Sequence, residues 1–264
     1  MNKADRVAYF LGWDVGPWKC SGKSKDALQL LEFDGGQLLD RGSYHGNLLL
    51  KFGGNLQIAN LLNAVGAGPL SVPLVLGIDA VFGWPTSFVS LTKLHAEFTV
   101  DPNAANIHNR YLYRHTEEFV FEKLRFPSSN PPLTAVGDKI GPAATKAQYF
   151  LSRLEDRQAC YIPPLDDWDL SRAQNESCTI IEVYPGAAKK SAAFQDLAIP
   201  HGLKMASVGT GDEADALRCA MTAYCYAATV GLIDAATPKV HLPTESTASN
   251  IEIKSEGWIF TPTF

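Results

Sequence analysis

The chain has 264 residues, of which 46% are hydrophobic and 19% are charged, and its formal net charge is −5. This composition is that of an ordinary globular protein and excludes collagen-like, low-complexity and disordered classes. The net negative charge disfavours nucleic-acid binding through bulk positive charge, but leaves a local patch or a metal-bridged contact open.

The cysteines and the apolar segments indicate the cellular compartment in which we expect the protein to be found. The five cysteines are scattered, odd in number and without a C-x-x-C pair, so we expect no disulfide framework, no thiolate zinc site and a cytoplasmic location. Gly12 and Asp14 interrupt the N-terminal apolar stretch, as in a first strand and not a signal peptide. The uncharged stretch from Phe52 to Ile78 contains prolines and asparagines. We therefore expect no membrane partner, while the oligomeric state stays open.

The first third of the chain reads as strand, strand, strand, helix, strand. The Asp34-Gly35-Gly36 segment is a strong hairpin signal between the second and third strands. The hydrophobic patterns place these five elements at Arg6 to Trp13, Ala27 to Phe33, Leu38 to Tyr44, Asn55 to Val65 and Val72 to Ile78.

The rest of the chain is predicted to be mostly helical around one further strand. Residues 86 to 170 are expected to form a helical insertion within a single domain of residues 1–264, with a helix from Thr145 to Arg157. Thr179 to Val183 reads as a strand. Asp212 to Val230 is the strongest helix, because Asp212 can cap its start and Gly231 stands at its stop.

Two Gly-x-Asp sequences end apolar strands, at Gly12-Trp13-Asp14 and Gly77-Ile78-Asp79. A carboxylate at the end of a central strand is costly unless it is paired, hydrogen-bonded or bound to a metal. Two such carboxylates on adjacent strands repel each other unless a cation bridges them. The alternative is that each aspartate only caps a turn after its strand.

Three further acids are candidates. Glu182 lies in the late strand, with neighbours that point to the opposite sheet face, and a solvent-facing edge position is the alternative. Asp212 and Asp215 open the strongest helix three residues apart and share one face of its first turn. Acids also favour a helix N-terminus through capping and the dipole.

Other motifs are weaker. The segment from Gly16 to Ser24 has five residues between its glycines and Pro17 after the first, so a polar turn is favoured over a phosphate-binding loop. For His108 and His115, beside Arg110 and Arg114, a solvated helix is favoured over a metal site.

The order and spacing of several short motifs resemble domain-of-unknown-function family 429, a family of predicted nucleases with a ribonuclease H-like fold. The motifs are Gly12-Trp-Asp14, Gly77-Ile-Asp79-Ala-Val-Phe-Gly-Trp-Pro85, Tyr113-Arg114-His-Thr-Glu117, Ile181-Glu182-Val-Tyr-Pro185, Asp215-Ala-Leu-Arg-Cys-Ala-Met-Thr-Ala223 and Glu256-Gly-Trp-Ile259. The resemblance implies an α/β fold with a mixed central sheet flanked by helices.

The resemblance also implies a site and an activity. It makes Asp14, Asp79, Glu182 and Asp215 the acidic site, with Asp212 as a further candidate. Four converging carboxylates suit two Mg²⁺ or Mn²⁺ ions about 3.5–4 Å apart. The expected activity is hydrolysis of a phosphodiester, with RNA, DNA and nucleotides all open as substrates.

In this interpretation Asp14 bridges the two ions, Asp79 binds on one side and Asp212 or Asp215 on the other, while Glu182 positions a ligand water. Arg110 and Arg114 are the expected phosphate contacts, because a guanidinium matches phosphate geometry. Tyr184 is expected to shape the mouth of the cleft.

Two alternatives remain at this point. The same fold supports actin-like and sugar-kinase-type ATP-dependent phosphotransferases, although those enzymes usually duplicate it. A non-catalytic binding protein could also keep the acidic cleft.

Overall fold

A computed structural model describes residues 6–19, 25–96, 101, 105–124, 132–155, 157–203 and 211–263. Seven strands form one sheet: β1 (Ala8–Asp14), β2 (Asp26–Asp34), β3 (Gln37–Gly46), β4 (Leu74–Asp79), β5 (Cys160–Tyr161), β6 (Cys178–Val183) and β7 (Ile259–Phe260). The helices are α1 (Leu48–Lys51), α2 (Ile58–Ala64), α3 (Thr86–Thr92), α4 (His115–Leu124), α5 (Gly141–Ser152), α6 (Leu170–Asn175), α7 (Pro185–Ala188), α8 (Ala192–Ala198), α9 (Gly211–Val230), α10 (Glu245–Ala248) and α11 (Ile251–Glu256).

The sheet is mixed, with β1 near its centre. Its order is β3-β2-β1-β4-β6-β5, and β7 also pairs with β6. The first three strands are antiparallel neighbours, whereas β4 is parallel to β1 and β6 is parallel to β4. The carboxyl ends of β1, β4 and β6 therefore meet at one edge, where ligands of open α/β sheets commonly bind.

Each face of the sheet has its own hydrophobic core. On one face, Phe10, Val75 and Ile181 pack in a cluster with the apolar side chains of α9, such as Tyr224. On the other face, Trp13 and Leu76 pack in a cluster with side chains of α2 and α5. Helices therefore cover both faces. Among the described residues no helix is both long and apolar enough to cross a membrane.

The predicted α/β architecture with a mixed sheet flanked by helices is confirmed, with differences in detail. Two strands beyond the predicted five are the two-residue β5 and β7, too short to leave a periodic pattern. The helix expected from Thr145 lies at Gly141–Ser152 instead, because Pro142 occupies its first turn. Residues 86 to 170, expected to be helical, also contribute β5 to the edge of the sheet.

Candidate active site

Asp14 and Asp79 are direct neighbours at the carboxyl edge of the sheet. They are paired in the register of the parallel strands β1 and β4, so their side chains project from the same face. The antiparallel register continues this row through Ala27 to His45 on β3. The two predicted acids and one histidine thus share a single row on the face that α9 covers.

The glycines of the two Gly-x-Asp motifs admit α9 to that face. A Cβ on Gly12 would lie 1.9 Å from the carbonyl oxygen of Ala216, and one on Gly77 would lie 2.6 Å from that of Cys219. Only glycine permits a backbone to approach this closely. Because α9 rests on these glycines, its first turn with Asp212 and Asp215 lies beside Asp14 and Asp79.

Burial and mutual repulsion set the protonation of Asp14 and Asp79, which form the central pair of the site. Burial raises the pKa of Asp14 to about 9, and the carboxylates of Asp79, Asp212 and Asp215 add to the shift. The pKa of Asp79 rises to about 7 through burial and the charge of Asp215, against an opposing effect of Lys189. Near neutral pH the pair therefore holds at least one proton. Neither side chain has a hydrogen bond or ion pair with another described residue.

The two acids of α9 are already engaged. Asp215 accepts hydrogen bonds from Lys189 at 2.9 Å and from Arg218 at 2.8 Å. Asp212 Oδ2 accepts a long hydrogen bond, 3.4 Å, from the backbone N–H of Lys25 and lies 3.5 Å from Nε2 of His45. His45 Nε2 is buried and makes no hydrogen bond to any described residue.

Glu182 projects from the opposite face of the sheet. In the parallel register it lies beside Ile78, whereas Gly77 lies beside Ile181. Its carboxylate accepts two hydrogen bonds from Arg114, at 2.9 and 2.5 Å, and one from the backbone N–H of Phe82 at 3.0 Å. The four carboxylates predicted to converge therefore do not all project from one face of the sheet. Asp14 and Asp79 lie on the face that α9 covers, whereas Glu182 lies at the same edge but on the opposite face.

Arg114 is the centre of a buried ion-pair network. It is only 1% exposed, and its three guanidinium nitrogens pair with Glu182, with Glu117 at 2.8 Å and with the backbone carbonyl of Glu256 at 2.6 Å. The two carboxylates raise the pKa of Arg114 further above its ordinary value, so it stays charged. The phosphate contact predicted for Arg114 remains a prediction, and these contacts instead give it the role of positioning Glu117 and Glu182.

The C-terminal motif completes this network. The buried Glu256 side chain accepts backbone hydrogen bonds from Thr86 at 2.8 Å and His115 at 3.0 Å. A Cβ on Gly83 would lie 2.7 Å from the carbonyl oxygen of Glu256, so a glycine is needed there as well. Four of the six motifs behind the family resemblance, those containing Gly83, Arg114, Glu182 and Glu256, are therefore in contact in this network. Their joint ion pairing could not be predicted from the sequence, since Arg114 lies close in the chain only to Glu117, and Glu182 and Glu256 are distant from both.

Arg110 and the two histidines lie outside this network. Arg110 pairs with Glu118, which also contacts His108, while His115 pairs with Glu252. The substrate contact predicted for Arg110 is untested by these pairs. The histidines occupy partly exposed positions with acidic partners, as the solvated-helix interpretation expects.

A second buried ion pair holds the turn after β1, and the sequence analysis missed it. Lys146 of α5 contacts both carboxylate oxygens of Asp26 at 2.7 Å, and both side chains are fully buried. Asp26 also accepts hydrogen bonds from the backbone N–H groups of Gly16 at 3.1 Å and Leu48 at 3.0 Å. The pair fixes the chain directly after Asp14. Most of the turn predicted at Gly16 to Ser24 lies outside the described residues.

A cavity of about 150 Å³ opens beside the central pair. Asp14, Asp79, Glu117 and Glu182 lie at its acidic part, and ten of its fifteen lining residues are apolar or aromatic. Tyr184 also lines it, and its ring packs over Gly186, where a Cβ would lie 2.6 Å from the ring. The role of Tyr184 at the mouth of a cleft stays a prediction. Burial and the charges of Asp79 and Asp215 raise the pKa of Tyr184, so its hydroxyl keeps its proton.

Carboxylate oxygens are the ligands that a hard cation such as Mg²⁺ prefers, but the described side chains do not form a complete coordination site. Among the described residues, no group of three or more histidine, cysteine, aspartate or glutamate side chains is arranged to hold a metal ion. Asp14 and Asp79 nevertheless present oxygen donors that no other described residue pairs, and a divalent cation would relieve their repulsion. A third donor, from Asp212 or Asp215, would have to leave its present partners. The Mg²⁺ or Mn²⁺ expectation thus stays a prediction.

Comparison of the chain with models of known protein families, with curated proteins and with solved structures finds no match. The geometry and chemistry of the site are therefore the basis for assigning a function.

Proposed function

We propose that the protein is a metal-dependent phosphodiesterase of the nuclease type, built on a ribonuclease H-like fold. The observation that carries the proposal is the in-register pair of Asp14 and Asp79 on adjacent parallel strands, with two α9 acids beside it. The connectivity supports the fold: three antiparallel strands, then β4 parallel to β1, in the order β3-β2-β1-β4.

In this proposal Asp14 and Asp79 hold Mg²⁺ or Mn²⁺, with Asp212 or Asp215 as a further donor. Such a cation supplies charge stabilisation to the phosphoryl group and activation of water. The chain's own residues do the rest. The Arg114 network holds Glu182 in place at the edge, and Lys189 and Arg218 fix Asp215. The Lys146–Asp26 pair anchors the turn after Asp14.

Hydrolysis with and without divalent cations tests the proposal. The panel consists of bis(4-nitrophenyl) phosphate, single-stranded and duplex RNA and DNA, and nucleotides including ATP, each with Mn²⁺, with Mg²⁺ and with EDTA. We expect cation-dependent cleavage of a phosphodiester that Asp79→Asn reduces to the rate of buffer. The exposed Asp234→Asn change is the matched control and should keep the parent's rate.

Two other outcomes would replace this proposal. Cation binding without turnover of any substrate would indicate a non-catalytic binding protein. Transfer of the ATP γ-phosphate to an acceptor would indicate the phosphotransferase, although the described residues form a single sheet and not a duplicated one.

A further inference from the structure

We infer that the cavity beside Asp14 and Asp79 holds one nucleobase, so that the substrate is a nucleotide or a single-stranded oligonucleotide and not a duplex. This inference rests on the proposed function and adds the substrate class. Three features carry it: the size and lining of the cavity, its position, and the pairing of the nearby cations.

The cavity has the size and lining of a base pocket. Its volume of about 150 Å³ is below the roughly 300–1,000 Å³ of sites for drug-sized ligands, so it suits one ring system and not an oligomer. Val81, Ile140, Val183 and Ile259 supply apolar walls and Tyr184 an aromatic one. Enzymes that act on nucleotides bind an unstacked base between apolar and aromatic side chains in this way.

The cavity adjoins the carboxylates where the proposed cation would lie. Asp14 and Asp79 line the cavity, whereas Asp212 and Asp215 do not. The central pair thus stands between the cavity and the α9 acids. A base inside the cavity leaves its own phosphate at the carboxylates, where the proposed cation would lie.

The charges near the site do not favour a long polyanion. Three cationic side chains bind acids of the site: Arg114 binds Glu182, while Lys189 and Arg218 bind Asp215. Phosphate contacts that track a duplex need cations free of such partners, and the whole chain has a net charge of −5. Because these three cations are engaged, we expect the base to supply a large part of the affinity.

The test compares matched substrates in the presence of Mn²⁺. The substrates are a single-stranded oligonucleotide, the same strand with abasic residues, and its duplex. We expect kcat/KM on the normal strand to exceed that on the abasic strand and on the duplex by about tenfold or more, as stacking of one base implies. Calorimetric titration with a nucleoside monophosphate, compared with inorganic phosphate, gives a second readout that needs no turnover.

A cavity-filling variant provides the specific control. Ala143 lines the cavity, so Ala143→Phe should lower kcat/KM on the normal strand to the abasic value and leave the abasic value unchanged. Ala193→Phe makes the same change at an exposed position of α8 and should match the parent. If Ala143→Phe does not fold, Ala143→Leu should give a smaller shift in the same direction.

The outcomes separate the two proposals. Hydrolysis at equal rates on normal and abasic strands, or faster on duplex, would overturn the base pocket and leave the phosphodiesterase intact. Base-dependent binding that Ala143→Phe abolishes, without any hydrolysis, would support the pocket and contradict the phosphodiesterase. Absence of both binding and hydrolysis would overturn both.

Discussion

At the scale of single residues, Asp14 carries most of the functional argument. Its carboxylate is close to three other acids and has no partner among the described residues, so the metal-free site is under electrostatic strain. A side chain kept only for stability would be paired or hydrogen-bonded instead. The cost of this arrangement can be measured directly.

The first prediction concerns Asp14→Asn. The change should leave the metal-free protein equally stable or more stable, because a neutral amide replaces a carboxyl group whose ionisation is disfavoured by burial and by the neighbouring acids. It should also abolish stabilisation by Mn²⁺, which for an intact site at a hundredfold excess over Kd is about 2.7 kcal/mol. Thermal melts of the parent and the variant, each with EDTA and with Mn²⁺, measure both effects. A turn-capping aspartate would instead lose about 0.5–2 kcal/mol on substitution and show no response to metal.

The second prediction concerns pH. Asp14 keeps its proton up to a pKa of about 9 in the folded protein, against 3.8 for an ordinary aspartate. Between these values the folded state binds more protons than the unfolded chain, so the free energy of unfolding falls as pH rises. Urea unfolding of the metal-free parent should show this decline, and Asp14→Asn should flatten it. Asp234→Asn, at an exposed position, should follow the parent. A pH profile unchanged by Asp14→Asn would contradict the raised pKa.

At the scale of elements, the contact between α9 and the sheet sets the position of the acids. Gly12 and Gly77 let the helix backbone rest against β1 and β4, and the acids follow from that contact. The two residues of the Gly-x-Asp motif therefore act together. The glycine lets the backbone of α9 pack against the strand, and the aspartate two residues later lies beside the acids in the first turn of α9.

The third prediction tests this contact with Gly12→Ala. The new Cβ would meet the backbone at 1.9 Å, and backbone cannot rotate away as a side chain can. We expect a loss of about 3 kcal/mol or more, the upper part of the range for overpacking, together with weaker Mn²⁺ stabilisation. Gly68→Ala, where a Cβ meets nothing within 4 Å, is the control and should be close to neutral in urea unfolding. Equal stability of the two variants would show that α9 does not rest on Gly12.

The Arg114 network is the second connection between elements, since it links α4, β6 and the C-terminal end of α11. The fourth prediction is that Arg114→Met destabilises the protein by about 3–5 kcal/mol, because Glu117 and Glu182 are left buried without their cation. The loss should be smaller at low pH, where Glu117, whose pKa is raised by burial, takes up a proton. Arg41→Met breaks the exposed pair with Glu32 and should cost less than about 1 kcal/mol. A small loss for Arg114→Met in urea unfolding would contradict the structural role.

At the scale of the whole molecule, the sequence predicts the parts that are local. The order of the first four strands and the long helix follow from periodicity and turn residues, and the structure confirms them, with one further short helix, α1, before the predicted one. The repeated Gly-x-Asp motif also singles out Asp14 and Asp79, which the register of β1 and β4 makes neighbours. Whether these acids bind metal stays a prediction.

The parts that the sequence did not reveal depend on distant partners. Only folding brings Arg114 to Glu182 and Lys146 to Asp26. Folding also buries Nε2 of His45 without a hydrogen bond to any described residue. The face of Glu182 also depends on the register between β4 and β6, and no local pattern specifies that register. Strands of two residues, such as β5 and β7, leave no period to detect.

The Arg114 network also has a consequence for the order of synthesis. A ribosome makes Asp14 and Asp79 early, but Arg114 finds the carbonyl of Glu256, and β6 finds its neighbour β7, only after residue 260 has emerged. A nascent chain therefore carries its acids before the hydrogen bond from Arg114 to Glu256 and the pairing of β6 with β7 can form. A chain released before this point would keep Asp14 and Asp79 but lack both of these contacts.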